Sequence, residues 1–169
     1  LEWWAGQITL LPELEREIDD VIAPEAAVRD SASSELLAVR RKINTLKNRI
    51  RERLEHIVRS ETSQKYLQDA LVTMRNDRYV VPVKQEYRSQ IPGIVHDQSA
   101  SGATLFIEPM AVVEMNNDLR KAYSTERDEV NRILLELSNK VTPYTDDLQY
   151  NLQVLGQIDF IFAKARLSE

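Results

Sequence analysis

Leu36, Val39, Ile43, Leu46, Ile50 and Ile57 recur at three- and four-residue steps or their sum, with Leu54 one place off the series. Side chains at those steps share one stripe of an α-helix, and the stripe is as narrow as a coiled-coil seam. A helix over 30–59 would be roughly 45 Å long at about 1.5 Å per residue. It cannot bury its own seam, so the chain has to supply a partner. Asp30-Ser31-Ala32-Ser33 offers N-cap side chains at its start. A second stripe, Val112, Met115, Leu119 and Ala122, continues as Val130, Ile133, Leu137 and Val141 after a polar run over 124–129. Pro109 suits the first turn of that second helix, and Pro143 breaks it.

Between the two stripes the period changes. Leu67, Leu71 and Met74 predict a short amphipathic helix. Arg78-Tyr79-Val80-Val81-Pro82-Val83-Lys84 then reads as a strand, and Pro82 suggests an edge position. Ile91-Pro92-Gly93 signals a turn, Ile94-Val95-His96 a second strand, and Ala103-Thr104-Leu105-Phe106-Ile107 a third. Residues 97–102 form a loop of small and polar side chains, with Gly102 at positive φ. Near the start, Ile8, Leu11, Leu14 and Ile18, with Val21 and Ile22, mark a short helix opened by Pro12 and closed by Pro24. Leu148, Leu152, Leu155, Ile158 and Phe162 mark a last helix.

Short connections make the two long helices antiparallel. The order predicts an α+β fold, predominantly α: a long antiparallel helical arm, a small β-stranded head at its tip and short core helices at its base. The boundaries fall at 1–29 for the first core helices, 30–75 for the ascending helix and short helix, 76–109 for the head, 110–142 for the descending helix and 143–169 for the last core helix. A three-stranded sheet is marginal without a covered apolar face. The head is therefore expected to bury Leu105 or Ile107 against Val80, Val81 or Val83, with little helical base beneath it.

The 169 residues contain no cysteine, which excludes a disulfide framework and thiolate metal sites and suits a reducing compartment. No basic segment precedes an apolar run and no stretch approaches 18 apolar residues, so neither a signal peptide nor a membrane span is expected. The opening Leu1-Glu2-Trp3-Trp4 reads as the middle of a helix, as in a segment of a longer protein. The net charge of −5 argues against a globally basic nucleic-acid binder. The distribution is uneven. Residues 1–30 hold eight acids against two arginines, whereas 40–59 hold eight Lys or Arg against Glu52 and Glu55. That basic stretch could track a phosphate backbone. Its structural reading is a solvated face, or one paired with Glu114, Asp118, Glu126, Asp128, Glu129 and Glu136 of the opposing helix.

His96, Asp97, Ser99 and Ser101 invite a Ser-His-Asp reading, but adjacent strand residues point to opposite faces, so His96 and Asp97 should diverge. A turn in which Asp97 bonds nearby N–H groups is the structural alternative. His56 and His96 are too far apart in sequence to suggest a metal site. Four glycines form neither G-x-x-x-x-G-K-[ST] nor G-x-G-x-x-G, so no phosphate cradle is present. No catalytic residue, cofactor or metal is assigned to the segment. Trp3 and Trp4 read as core or interdomain contacts.

Arg75-Asn76-Asp77-Arg78-Tyr79-Val80-Val81-Pro82-Val83-Lys84 resembles a segment of the second type of bacterial MutS-like proteins, the paralogues not dedicated to mismatch repair. Gly93-Ile94-Val95-His96-Asp97-Gln98-Ser99-Ala100-Ser101-Gly102-Ala103-Thr104-Leu105-Phe106-Ile107-Glu108-Pro109 is similar to that family's most distinctive stretch outside its ATPase. Asp30-Ser31-Ala32-Ser33 and Asp159-Phe160-Ile161-Phe162-Ala163-Lys164-Ala165-Arg166 are similar in the same order. The resemblance implies a core, lever and clamp-like part of a bacterial cytoplasmic, homodimeric protein. It implies an ATPase using ATP and Mg and a C-terminal nuclease domain, both outside this chain. It also implies partners in branched DNA and in the ribosome with its RNA, in suppression of recombination and in splitting collided ribosomes. Position alone then nominates Arg78, Lys84, Arg88, His96, Gln98 and Ser99 at the tip, and Arg49, Arg51 and Arg53 in the basic run, as nucleic-acid or ribosome contacts. The rival expectation is a passive coiled-coil adaptor or dimerisation module; a small hydrolase around His96 is a third.

Overall fold

The computed structural model describes residues 2–167, so Leu1 lies outside the described residues. The chain divides into two compact units, residues 1–34 with 130–169, and residues 35–129. The fold is α+β and predominantly α. No helix among the described residues is long and apolar enough to cross a membrane.

The apolar series of the sequence becomes α3, Ser34–Arg59. Its buried residues are Leu36, Val39, Ile43, Leu46, Ile50, Leu54 and Val58, and Ile57 is only half-buried. A strict seven-residue repeat would place Arg53 inside. The buried stripe instead steps by four after Ile50, which brings Leu54 onto it. The expected place of Leu54 off the stripe is thereby corrected. The second long helix is α5, Val113–Val141. Arg40 Nε lies 2.7 Å from Glu126 Oε1, and Arg49, Arg53 and His56 of α3 share a surface depression with Met115. Early α3 therefore meets later α5, and late α3 meets early α5, as antiparallel helices must. Val112, Leu119 and Ala122 are buried.

The expected amphipathic helix over Leu67, Leu71 and Met74 is not there. Helix α4 is only Glu61–Gln64, and Thr73–Arg75 is a strand, β1. Leu67 is buried as an isolated bridge to Val83, while Leu71 and Met74 stay exposed. Asn76 and Asp77 both have positive φ (51° and 60°), which makes a two-residue hairpin turn into β2, Arg78–Lys84. Strands β3, Gly93–Gln98, and β4, Thr104–Pro109, complete an antiparallel sheet of order β1-β2-β4-β3. Strand β2 is thus interior, not an edge. Pro82 is tolerated because its carbonyl accepts from Gln68 N–H. Its missing N–H faces that same irregular segment and not the β4 ladder.

Pairs Val81↔Ile107 and Val83↔Leu105 set the register, and Ile107, Val80, Val81 and Val83 are fully buried. Val80 and Val81 point to opposite faces, so both faces of β2 are covered. The expectation of a sheet with little to pack on fails here. Residues 97–102 differ from a plain loop too, because β3 runs on to Gln98 before the turn. Gly102 takes the expected positive φ of 74°.

In the other unit, α1 is Glu2–Ala5, α2 is Pro12–Val21 with Pro12 at its first turn, and α6 is Thr145–Leu167. Asn151 of α6 bonds both backbone groups of Thr9, each at 2.8 Å, and Tyr150 bonds Gln7. Leu14, Val28, Ile133 and Val154 are buried. The expected α6 stripe is not a buried one: Leu148, Leu152, Leu155 and Phe162 are exposed, and Ile158 is half-buried. Apolar side chains lie all around α6, so periodicity could not select its inner face.

Gly93 sits where β3 crosses β4 too closely for a side chain. A Cβ there would overlap the Glu108 carbonyl and lie 2.7 Å from Ile107 Cγ2. Gly156, inside α6, has open space around it. Gly93→Ala should cost about 2 kcal/mol or more, whereas Gly156→Ala should add about 1 kcal/mol. Urea unfolding followed by circular dichroism reads both signs.

Candidate nucleic-acid interface

Glu108 lies at the end of β4 with no exposed surface. A carboxylate placed there needs partners for both oxygens. Oε1 accepts from Arg78 Nη1 at 3.0 Å and from Asn116 Nδ2 at 2.7 Å, and Oε2 lies 2.5 Å from His96 Nε2. The Arg78 and His96 side chains are 14% and 19% exposed. Asn116 also clasps the Tyr79 backbone, accepting from its N–H at 3.3 Å and donating to its carbonyl at 3.2 Å. Continuing the β2–β4 register puts Tyr79 opposite Pro109, which has no N–H to give. Asn116, from α5, supplies what the strand cannot.

A β-bulge at His96 explains how a strand residue reaches Glu108. Val95 pairs with Ile107 and Asp97 with Phe106, leaving His96 extra. The alternation expected for His96 and Asp97 is therefore broken. Both engage the face that carries Arg75 and Arg78, a pair in register. They part there: Asp97 Oδ2 meets Arg75 Nε at 3.2 Å, and the Arg75 guanidinium lies 4.0 Å from the centre of the Phe106 ring. Asp97 also accepts from Gln98 N–H, the local turn contact expected of it. Ser99 and Ser101 bond each other at 3.3 Å, and Ser99 Oγ accepts from Thr104 N–H at 3.1 Å. Ser, His and Asp do not converge on one point. Among the described residues no group of three His, Cys, Asp or Glu could hold a metal ion.

The nominated contact residues separate into groups. Arg78 and His96 are turned inward onto Glu108. Lys84 is half-buried with Nζ 3.3 Å from the Lys65 carbonyl, and Arg88 donates to the Gly93 carbonyl at 3.1 Å. Ser99 closes its turn, and Gln98 is exposed. Arg49, Arg51 and Arg53 are exposed on α3. They do not form one patch: Arg49 and Arg53 line a depression of about 400 Å³ with Glu52, His56 and Met115, and Arg51 lines another with Glu55 and Arg59. Of the acids expected to neutralise the basic run, Glu126 takes Arg40. Asp118 and Glu136 pair within α5 with Lys121 and Arg132.

Glu108, Asn116 and Arg75 are the residues that sequence reasoning missed. A polar Asn between Met115 and Leu119 was the available signal for a buried polar contact. Asn76-Asp77 between two β-prone runs was the signal for the hairpin. Asn116→Leu should destabilise the protein by roughly 3 kcal/mol, because Tyr79 and Glu108 lose partners away from water. Asn116→Asp should do at least as much harm by facing the Glu108 carboxylate. Thermal unfolding midpoints of the two variants check this.

No protein-family model matches the chain. Over 165 residues, 98% of its length, it is 56% identical to endonuclease MutS2 of Pelotomaculum thermopropionicum. It is 51% identical over 166 residues to endonuclease MutS2 of a Geobacillus species and 50% identical over 169 residues to that of Enterococcus faecalis. In each case it spans 21% of the relative's length. At this identity, held across nearly all of its residues, the chain is homologous to a stretch that makes up about a fifth of the length of these MutS2 proteins.

Proposed function

We propose that this segment is a non-catalytic core, lever and clamp-like part of a MutS2 protein, and that residues 35–129 contact nucleic acid, as DNA or as the RNA of a ribosome. The single observation that carries the contact is the set of exposed arginines on α3, Arg49, Arg51 and Arg53, set on a frame held by buried polar bonds. The mechanical half of the proposal draws on Asn116. It ties the sheet to α5 through Tyr79 and Glu108, so that displacement of the sheet moves the helix with it. The segments 1–29, 30–75, 76–109, 110–142 and 143–169 serve in turn as core, lever, clamp, lever and core. ATP with Mg, the nuclease chemistry and homodimer formation belong to the parent outside these residues. Branched DNA and collided ribosomes are its targets in bacterial cytoplasm.

A second reading, a protein-interaction or dimerisation module, draws on the exposed apolar side chains of α6. Gel retardation at low salt separates the two. The chain should bind branched DNA or ribosomal RNA weakly, without sequence preference and with strong salt dependence. Arg49→Glu, Arg51→Glu and Arg53→Glu together should weaken that binding roughly tenfold or more, since each reversal removes a phosphate contact and adds repulsion. Unretarded nucleic acid, with a concentration-dependent dimer in the ultracentrifuge, would favour the second reading instead.

A further inference from the structure

A groove of about 500 Å³ lies between the β1–β2 hairpin and α5, lined by Met74, Asp77, Arg120, Tyr123, Ser124 and Arg127. Its four α5 residues fall at positions 120, 123, 124 and 127, one face of the helix over two turns. Both arginines are exposed, and neither has a hydrogen-bond or ion-pair partner among the described residues. The sequence shows why. Three and four residues from Arg120 stand Asn116, Asn117, Tyr123 and Ser124; around Arg127 stand Tyr123, Ser124, Val130 and Asn131. No acid is within helical reach of either guanidinium, in a helix where Asp118, Glu126 and Glu136 all hold cations. Between the arginines, Tyr123 is 40% exposed, and across the groove Met74 is 43% exposed.

We propose that this groove is a binding site for single-stranded nucleic acid, taking one unstacked base against Tyr123 and Met74 with its flanking phosphates on Arg120 and Arg127. The proposal rests on the nucleic-acid reading above and gives it a separate location and a preferred strand state. An exposed aromatic ring flanked by unpaired guanidiniums is the chemistry that holds single strands, since every base has a face to stack and every nucleotide a phosphate. Duplex DNA offers the phosphates but keeps its bases stacked within the helix. Asp77, at the tip of the hairpin turn, places a carboxylate in the groove. It repels a third phosphate and can accept a hydrogen bond from an exocyclic amino group, which favours cytosine or adenine at the stacked position. Ser124 adds a hydroxyl donor on the helix face.

Fluorescence anisotropy of the whole chain tests this, with a labelled oligodeoxycytidylate, an abasic oligomer of equal length and a blunt duplex. The oligodeoxycytidylate should bind more tightly than either of the others. Tyr123→Ala should weaken it roughly tenfold and leave duplex binding unchanged, while Tyr123→Phe, which keeps the ring, should retain it. Arg120→Ala and Arg127→Ala should each flatten the salt dependence by close to one released counterion. Photocrosslinking through an iodinated pyrimidine should label Tyr123 or Met74. Equal binding of the abasic oligomer, or full affinity in Tyr123→Ala, would overturn the groove. Displacement of the oligomer by polyglutamate at comparable concentration would assign it to an acidic protein segment and overturn it as well. If duplex binding persists through the α3 arginines while the groove variants are silent, the groove alone is wrong. If no nucleic acid binds at all, both proposals fall together.

Discussion

A carboxylate with no access to water is costly to place inside a protein unless charge and hydrogen bonds surround it. Glu108 is such a group, and much of the sheet-bearing unit is arranged to receive it. Arg78 comes from β2, His96 from the bulge in β3 and Asn116 from α5, so three elements converge on one strand end. Buried ion pairs add little net stability compared with well-packed apolar residues, but their geometry is demanding. A slip of β2 by one residue would turn Arg78 to the face opposite Glu108 and leave that carboxylate without its guanidinium. Here the network acts with the apolar register to select a single arrangement of strands.

The same network changes the functional meaning of two conspicuous residues. An arginine and a histidine near a loop look like contacts for phosphate or for catalysis. Their side chains are largely covered and already committed to Glu108. Exposed positive charge lies elsewhere, on α3 and on the α5 face beside the hairpin. Arg120 and Arg127 are free for a local reason: their helical neighbours are Asn, Ser, Tyr and Val. Pattern searches for basic runs pass over them, since α5 as a whole carries more acids than bases.

Helical periodicity made the two long helices and their antiparallel course legible, because a stripe of Leu, Ile and Val can be buried in few ways. Proline positions marked the start of α2 correctly, and Gly102 marked its turn. The region of 67–84 was misread for two reasons. Leu67, Leu71 and Met74 match a helical step, yet Asn76 and Asp77 tolerate positive φ and fold the chain into a hairpin, drawing Thr73–Arg75 into the sheet. Pro82 suggested an edge because proline lacks a donor, but a strand has two sides, and the missing donor here faces an irregular segment.

The sequence by itself determined the helices, the β-prone runs and their order, since these follow from local spacing and backbone preference. The tertiary structure decided which strand lies at the centre, that β3 bulges at His96, and that Asn116 completes the hydrogen bonding of Tyr79. It also placed Met74 and Asp77 beside Arg120, Tyr123 and Arg127. Those outcomes depend on groups many residues apart competing for the same backbone donors and the same buried charge. No local pattern records that competition, because it exists only once the chain has closed on itself.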